Sequence, residues 1–218
     1  MTGRLIVFEG VEGCGKTTQL QRSREWLQRF SCSKSFPFSV VVTREPGATE
    51  LGLGLRQLLL AEAEGKPIQE SAELLLYAAD RAQHVEEVLK PQLALGALIL
   101  CDRYTDSTIA YQGYGRGLSL SLINQLNSIA TGGLESDLTL WLDVDVEVGL
   151  ARTKNRGLLD RIEQADLAFH RRVQQGYTEL ALAHPKRIVR VDASLSEAAV
   201  QEQIQAILSQ RLKLGSRE

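Results

Sequence analysis

The chain has 218 residues, 44% of them hydrophobic and 24% charged, enough to bury a sizeable core and too ordinary a mix for a disordered or low-complexity protein. Its 25 lysines and arginines face 27 aspartates and glutamates, a formal net charge of −2, so it lacks the basic excess of a general nucleic-acid-polymer binder. No apolar run approaches the roughly 20 residues of a membrane span.

The segment Leu5–Phe8 is apolar and runs straight into glycine, so it reads as a first strand and not as a signal peptide. Further strand-like runs follow at Ser39–Thr43, Ala97–Cys101, Leu138–Val144 and Arg187–Val191. They are short and nearly continuously apolar, as strands of a parallel sheet covered on both faces are. Helical stretches alternate with them, which predicts right-handed crossovers and a doubly wound α/β sheet of five parallel strands with helices on both faces. The polar, proline-containing stretch 31–39 is expected to be a surface loop. One domain spanning 1–218 is expected, because no repeat or linker interrupts the pattern. Cys14, Cys32 and Cys101 are scattered, with no CxxC pair, which argues against a disulfide framework or zinc site and for a cytoplasmic setting.

Directly after the first strand, Gly10, Val11, Glu12, Gly13, Cys14, Gly15, Lys16 and Thr17 match G-x-x-x-x-G-K-[ST], and Thr18 continues into a helix. Glycines there let successive N–H groups converge on a phosphate. Lys16 adds a charge at the outer phosphates and the Thr17 hydroxyl can ligate Mg²⁺. The placement between strand and helix points to a nucleoside-triphosphate site of the P-loop NTPase fold. The loop serves ATPases, switches and kinases alike, so the remaining residues must discriminate.

Arg44 follows the second strand and Arg103 the third, at the carboxyl edge where ligands bind α/β sheets. Two guanidiniums beside a phosphate loop suit a second phosphate. Asp102 is placed to hold Mg²⁺ through water or to accept a proton from an attacking group. Between them, 70–90 reads as one helix ended by Pro91, with Ala72, Leu75, Ala79 and Ala82 on its apolar face and Tyr77, Arg81 and His84 opposite. Tyr77 and Arg81 one turn apart can stack on a base and bond its carbonyl; a partly exposed surface tyrosine explains the spacing equally well. His84 is expected to be structural or solvent-facing.

Taken in order, FEGVEGCGKTTQ at 8–19, TREPG at 43–47, LLLYAADRAQH at 74–84, LCDRYTDSTIAYQGYGRG at 100–117, GGLESDLTLWLDV at 132–144 and RGLLDRIE at 156–163 resemble the thymidylate kinases. The resemblance covers most of the chain, and 100–113 is its most specific part. It implies transfer of the γ-phosphoryl of ATP to dTMP with Mg²⁺, and a homodimer packed through helices. It assigns Glu12 to the sugar side of the monophosphate and Arg44 and Arg103 to its phosphate. Tyr77 would stack on thymine, Arg81 would bond a base carbonyl, and Ser107, Tyr111 and Gln112 would line the deoxyribose and base. The family divides by whether its catalytic arginine sits in the phosphate loop or in a mobile lid. Here Gly13 and Cys14 occupy the loop, while 151–163 carries Arg152, Arg156 and Arg161, so the chain resembles the lid-arginine group familiar from bacteria. Cys14 departs mildly from the usual alanine or serine. Two rivals stay open: a kinase of another monophosphate or of a deoxynucleoside, and a partner-driven nucleotide switch or clamp-loader-like ATPase.

Overall fold

The computed structural model describes residues 3–31, 38–61, 67–154 and 160–214. Its strands are β1 (Arg4–Glu9), β2 (Val40–Arg44), β3 (Leu98–Asp102), β4 (Leu138–Asp143) and β5 (Ile188–Asp192), each close to the expected bounds. They form one all-parallel sheet in the order β2-β3-β1-β4-β5. β1 lies between β3 and β4 and is buried on both faces. Leu5, Val7, Ile99 and Cys101 pack on one side against Val85 and Leu89. Ile6, Phe8, Leu98 and Leu100 pack on the other with Leu20, Leu27, Phe169, Val173 and Ile204. That two-sided burial is why these strands read as continuous apolar runs.

The α-helices are α1 (Lys16–Ser31), α2 (Glu50–Leu60), α3 (Glu70–His84), α4 (Lys90–Ala94), α5 (Thr105–Thr108), α6 (Leu120–Thr131), α7 (Val146–Lys154), α8 (Leu167–Ala183) and α9 (Glu197–Leu212), and a π-helical segment Ile109–Gly115 after α5 carries Tyr111 and Gln112. Among the described residues, no helix is long and apolar enough to cross a membrane. Most of the expected loop at 31–39 and the middle of the expected lid, including Arg156, fall outside the described residues.

The expectations for 70–90 need correction. Pro91 does not end the helix: a wide π-turn at Val85–Leu89 follows α3, and Pro91 enters α4 near its start, where its missing N–H costs little. The faces are also reversed. Leu75 is 56% exposed and Ala72 and Ala79 face outward, whereas Glu73, Asp80, Arg81 and His84 are buried. Polar side chains can turn inward here because they find partners. Arg81 donates from Nε to Glu45 Oε2 (2.8 Å), from its guanidinium nitrogens to Thr108 Oγ1 (2.8 Å), Asn127 Oδ1 (2.7 Å) and the Tyr104 carbonyl (2.9 Å). His84 is structural, as expected, but fully buried between Glu45 and Thr43. Apolarity alone misorients a helix whose polar face is satisfied by such a network.

Candidate active site

Parallel strands end their carboxyl edges together, so the turns after β1, β2 and β3 meet. They open on a crevice of about 610 Å³, lined among others by Glu12, Gly13, Gly15, Lys16, Thr17, Thr18, Arg44, Tyr77, Arg81, Asp102, Arg103, Ser107, Tyr111 and Gln112. The sequence-derived candidates that the structure describes therefore converge, apart from Gly10, Val11 and Cys14, which form the loop behind this wall, and Arg161; Arg156 lies outside the described residues.

The phosphate loop follows β1 and delivers its chain into the N-terminus of α1. Lys16 Nζ donates to the Gly10 carbonyl (2.9 Å) and the Val11 carbonyl (3.0 Å). A phosphate oxygen, being charged, can displace these neutral acceptors. Gly13 has φ 70°, and a Cβ there would fall 2.0 Å from the Gly149 carbonyl oxygen. No side chain fits at that position, so a loop arginine is sterically barred at residue 13. Asp102 sits across from the loop: Thr17 Oγ1 reaches its Oδ2 at 3.5 Å, while its buried Oδ1 has no hydrogen-bond partner among the described residues. An orphaned carboxylate oxygen beside a threonine hydroxyl is a donor set that fits Mg²⁺ shared with phosphate oxygens. Among the described residues there is no cluster of three or more histidine, cysteine or carboxylate side chains that would cage a metal alone.

The rest of the crevice is built from side chains. Arg103 adopts φ 69° and lies over the Tyr111 ring, 4.9 Å from its centroid. Its guanidinium donates to Glu12 Oε1 (2.7 Å), to the Gly10 carbonyl (3.2 Å) and to Ser107 Oγ (3.2 Å). Tyr111 donates to Glu12 at 2.7 Å, and the His170 ring stands 3.6 Å from it. Burial pushes the Glu12 carboxyl up, but Arg103, with His170, Lys16 and Tyr111, outweighs it and holds Glu12 well below the usual carboxylate range. Burial likewise opposes the charge of Arg103, yet the surrounding tyrosines and the carboxylates Glu12 and Glu9 raise it further. The site thus keeps a fixed ion pair next to the phosphate loop. Burial pushes the Tyr77 hydroxyl above its ordinary value, with the Glu73 charge adding to it, so its ring stays neutral.

Several contributors were not singled out in the sequence. Glu9, fully buried at the end of β1, accepts from the Tyr104 and Ser107 amides, from Ser107 Oγ (2.6 Å) and from Tyr177 OH (2.8 Å), and so holds the turn that carries Arg103. Burial drives the Glu9 pKa up. Arg56 of α2 also lines the crevice, donating to the Pro46 carbonyl at 3.0 Å. Neither lies in a pattern that periodicity or spacing exposes; a lone acid in a strand and a lone arginine in a helix look unremarkable.

Arg161, by contrast, is not among the residues that line the crevice. Its Nε donates to the Leu59 carbonyl (3.0 Å) and its guanidinium pairs with Glu73 of α3. Arg152 reaches the Ala193 carbonyl at 3.4 Å.

Comparison with known proteins agrees with this geometry. The sequence profile of the family described as Thymidylate kinase matches residues 8–204. The chain is 70% identical over 214 residues to the thymidylate kinase of Nostoc punctiforme, covering 98% of this chain and 99% of that one. Against the thymidylate kinase of Trichodesmium erythraeum it is 60% identical over 220 residues, covering 97% of each. Among solved structures, it resembles the thymidylate kinase of Ehrlichia chaffeensis at a TM-score of 0.77 and 32% identity, covering 95% of this chain and all of that one. With a phosphate loop, a crevice lined by Arg44, Arg81 and Arg103 and matches along nearly its full length, the chain belongs to the thymidylate kinase family.

Proposed function

We propose that the crevice joins ATP to dTMP with a division of labour set by its two walls. As a thymidylate kinase family member, the chain is an ATP-dependent nucleoside-monophosphate kinase, a phosphotransferase. In the reaction a 5′-phosphate oxygen of dTMP attacks the γ-phosphorus of ATP, and the bond to the β-phosphate oxygen breaks, giving dTDP and ADP. Such a transfer asks mostly for positioning and charge neutralisation. The loop amides from Gly10 to Thr18 and Lys16 hold the triphosphate. Thr17 and Asp102 are the residues that would hold Mg²⁺, which when bound neutralises charge on the phosphate oxygens. Arg44 and Arg103 hold the monophosphate, and Glu12, anchored by Arg103 and Tyr111, sets the sugar position. Tyr77 stacks on the base, Gln112 borders it, and Arg81, with four of its five N–H groups already used by protein, offers the remaining one to a base carbonyl.

For the lid we assign the transferring phosphoryl to Arg156. The contacts of Arg161 with Glu73 and Leu59 support this choice, as does the closed packing of Gly13 on Gly149. The family pattern further supports a homodimer. Leu51 and Leu58 of α2, Leu75 of α3 and Ile129 of α6 are all about half exposed or more, and α3 packs beside both α2 and α6. The cysteine pattern supports a cytoplasmic location.

The convergence of Arg103 and Tyr111 on Glu12 of the phosphate loop carries this reading, because a switch ATPase has no use for a second anion site. An ADP-release assay with ATP and Mg²⁺ across a panel of monophosphates tests it. Turnover is expected to require an acceptor and to peak with dTMP. Acceptor-independent ADP release would overturn it.

A further inference from the structure

Glu73 belongs to no pattern that pointed to the site, yet it is 1% exposed on α3, one turn before Tyr77. Its Oε1 accepts from Gln112 Nε2 at 2.8 Å. Its Oε2 is held by Arg161 and, at 3.5 Å, by Arg116. A carboxylate has no hydrogen to give, so whichever end of the Gln112 amide faces it must be the NH₂ end. That leaves Gln112 Oε1 as the opposite end of a side chain that lines the crevice.

A free glutamine can rotate its amide by half a turn and serve as donor or acceptor. One pinned by a carboxylate cannot. Thymine and uracil carry a hydrogen on ring N3, whereas cytosine carries a lone pair there and an amino group at C4. An amide oxygen fixed toward the base therefore accepts from N3–H of thymine or uracil and meets cytosine N3 lone pair to lone pair. Discrimination of this kind comes from leaving the wrong base with unmatched polar atoms.

We propose that Glu73 is a positioning residue that fixes the amide of Gln112 with its oxygen toward the base, so that the site demands a pyrimidine bearing N3–H. This rests on the reading that dTMP lies against Tyr77 and Gln112. The guanidiniums of Arg161 and Arg116 hold Glu73 in place on the side away from Gln112.

The test is the ratio of kcat/KM for dTMP to that for dCMP, with dUMP alongside, in the wild type and in Glu73→Gln. The substituted carboxamide can donate as well as accept, which frees Gln112 to turn. The dTMP-to-dCMP ratio is expected to fall roughly 10- to 100-fold, in line with one hydrogen bond made or mismatched. The dTMP-to-dUMP ratio, which reads the C5 methyl, is expected to hold. Gln112→Leu should lose the same preference, and the double variant should lose no more than either alone. If Glu73→Gln lowers turnover with both bases equally, Glu73 is merely structural and the proposal fails. Should that variant not fold, N3-methyl-dTMP as substrate for the wild type and the Gln112→Leu panel decide. Refusal of the methylated base and lost preference uphold the proposal; a preference retained in Gln112→Leu overturns it. A wild type that phosphorylates no pyrimidine monophosphate would instead overturn the functional reading beneath it.

Discussion

In the proposed reading, the triphosphate is held at one end of the crevice by backbone amides of one short consecutive stretch, with Lys16 and Thr17 at its close. At the other end the acceptor would be held by side chains drawn from β1, the phosphate loop's own Glu12, α3, the turn after β3, the π-helical segment Ile109–Gly115 and α8, tied by bonds such as Glu12 to Arg103, Glu9 to Tyr177 and Glu73 to Gln112. The first end would accept any nucleoside triphosphate, since phosphates are common to all of them. The second can recognise one base and one sugar, because each of its groups is held by another. Generality comes cheaply from local backbone, and selectivity needs a long-range network. Substitutions should separate the two: loop changes should damage turnover with every acceptor, and network changes should alter which acceptor is used.

The sharpest separation is expected in the lid arginines. By analogy with arginine fingers, Arg156→Ala should lower kcat by roughly 10³-fold with every acceptor. Arg161→Ala, which frees one side of Glu73, should cost about tenfold or less and act mainly on KM for dTMP. Steady-state kinetics with saturating ATP distinguishes them. Equal kcat losses in both variants would move Arg161 back to the phosphates and blur the division between the ends.

A middling effect is expected at Arg103, which stands where the two ends touch through the Gly10 carbonyl and Glu12. Arg103→Lys keeps the charge and loses the planar fork that spans Glu12, Gly10 and Ser107. We expect kcat/KM for dTMP to fall roughly 10- to 100-fold with little change in KM for ATP. A variant with unaltered dTMP kinetics would show that charge alone suffices at the acceptor end.

The same contrast decided what could be read from the sequence. Strand positions and the phosphate loop were legible because each is a local pattern: an apolar run, or glycines before a lysine and threonine. Arg44, Arg103, Tyr111 and Gln112 were found through their position after strands and through the family resemblance, and the crevice gathers all four. Glu9, Glu73 and Arg56 escaped because nothing near them in sequence announces a partner; Glu9 and Glu73 meet Tyr177 and Gln112 tens of residues away, and Arg56 bonds a backbone carbonyl that no side-chain pattern marks. The face of α3 was misread for a related reason. Hydrophobic periodicity assumes that charge seeks water, and Arg81, His84 and Asp80 seek Glu45, Thr43 and the Gly47 amide instead.

Asp80 touches stability and not turnover, and tests whether that inward polar face carries a cost that the backbone loop does not. Its Oδ1 accepts from the Gly47 amide at 3.0 Å, while its buried Oδ2 has no partner among the described residues. Burial pushes its carboxyl up to about 6 from an ordinary value of 3.8, with Gly47 opposing and Glu45 reinforcing the rise. A raised carboxyl binds its proton more tightly in the folded chain than in the unfolded one. Its contribution to stability is therefore full below about pH 3.8 and is lost as pH rises through about 6. Asp80→Asn cannot titrate, so its stability relative to wild type should rise across that window, by on the order of 2 kcal/mol. Urea unfolding of both proteins at several pH values between 4 and 7.5 measures the gap. Parallel curves would mean that the Asp80 charge is satisfied in the fold, and that α3 turns its polar face inward without penalty.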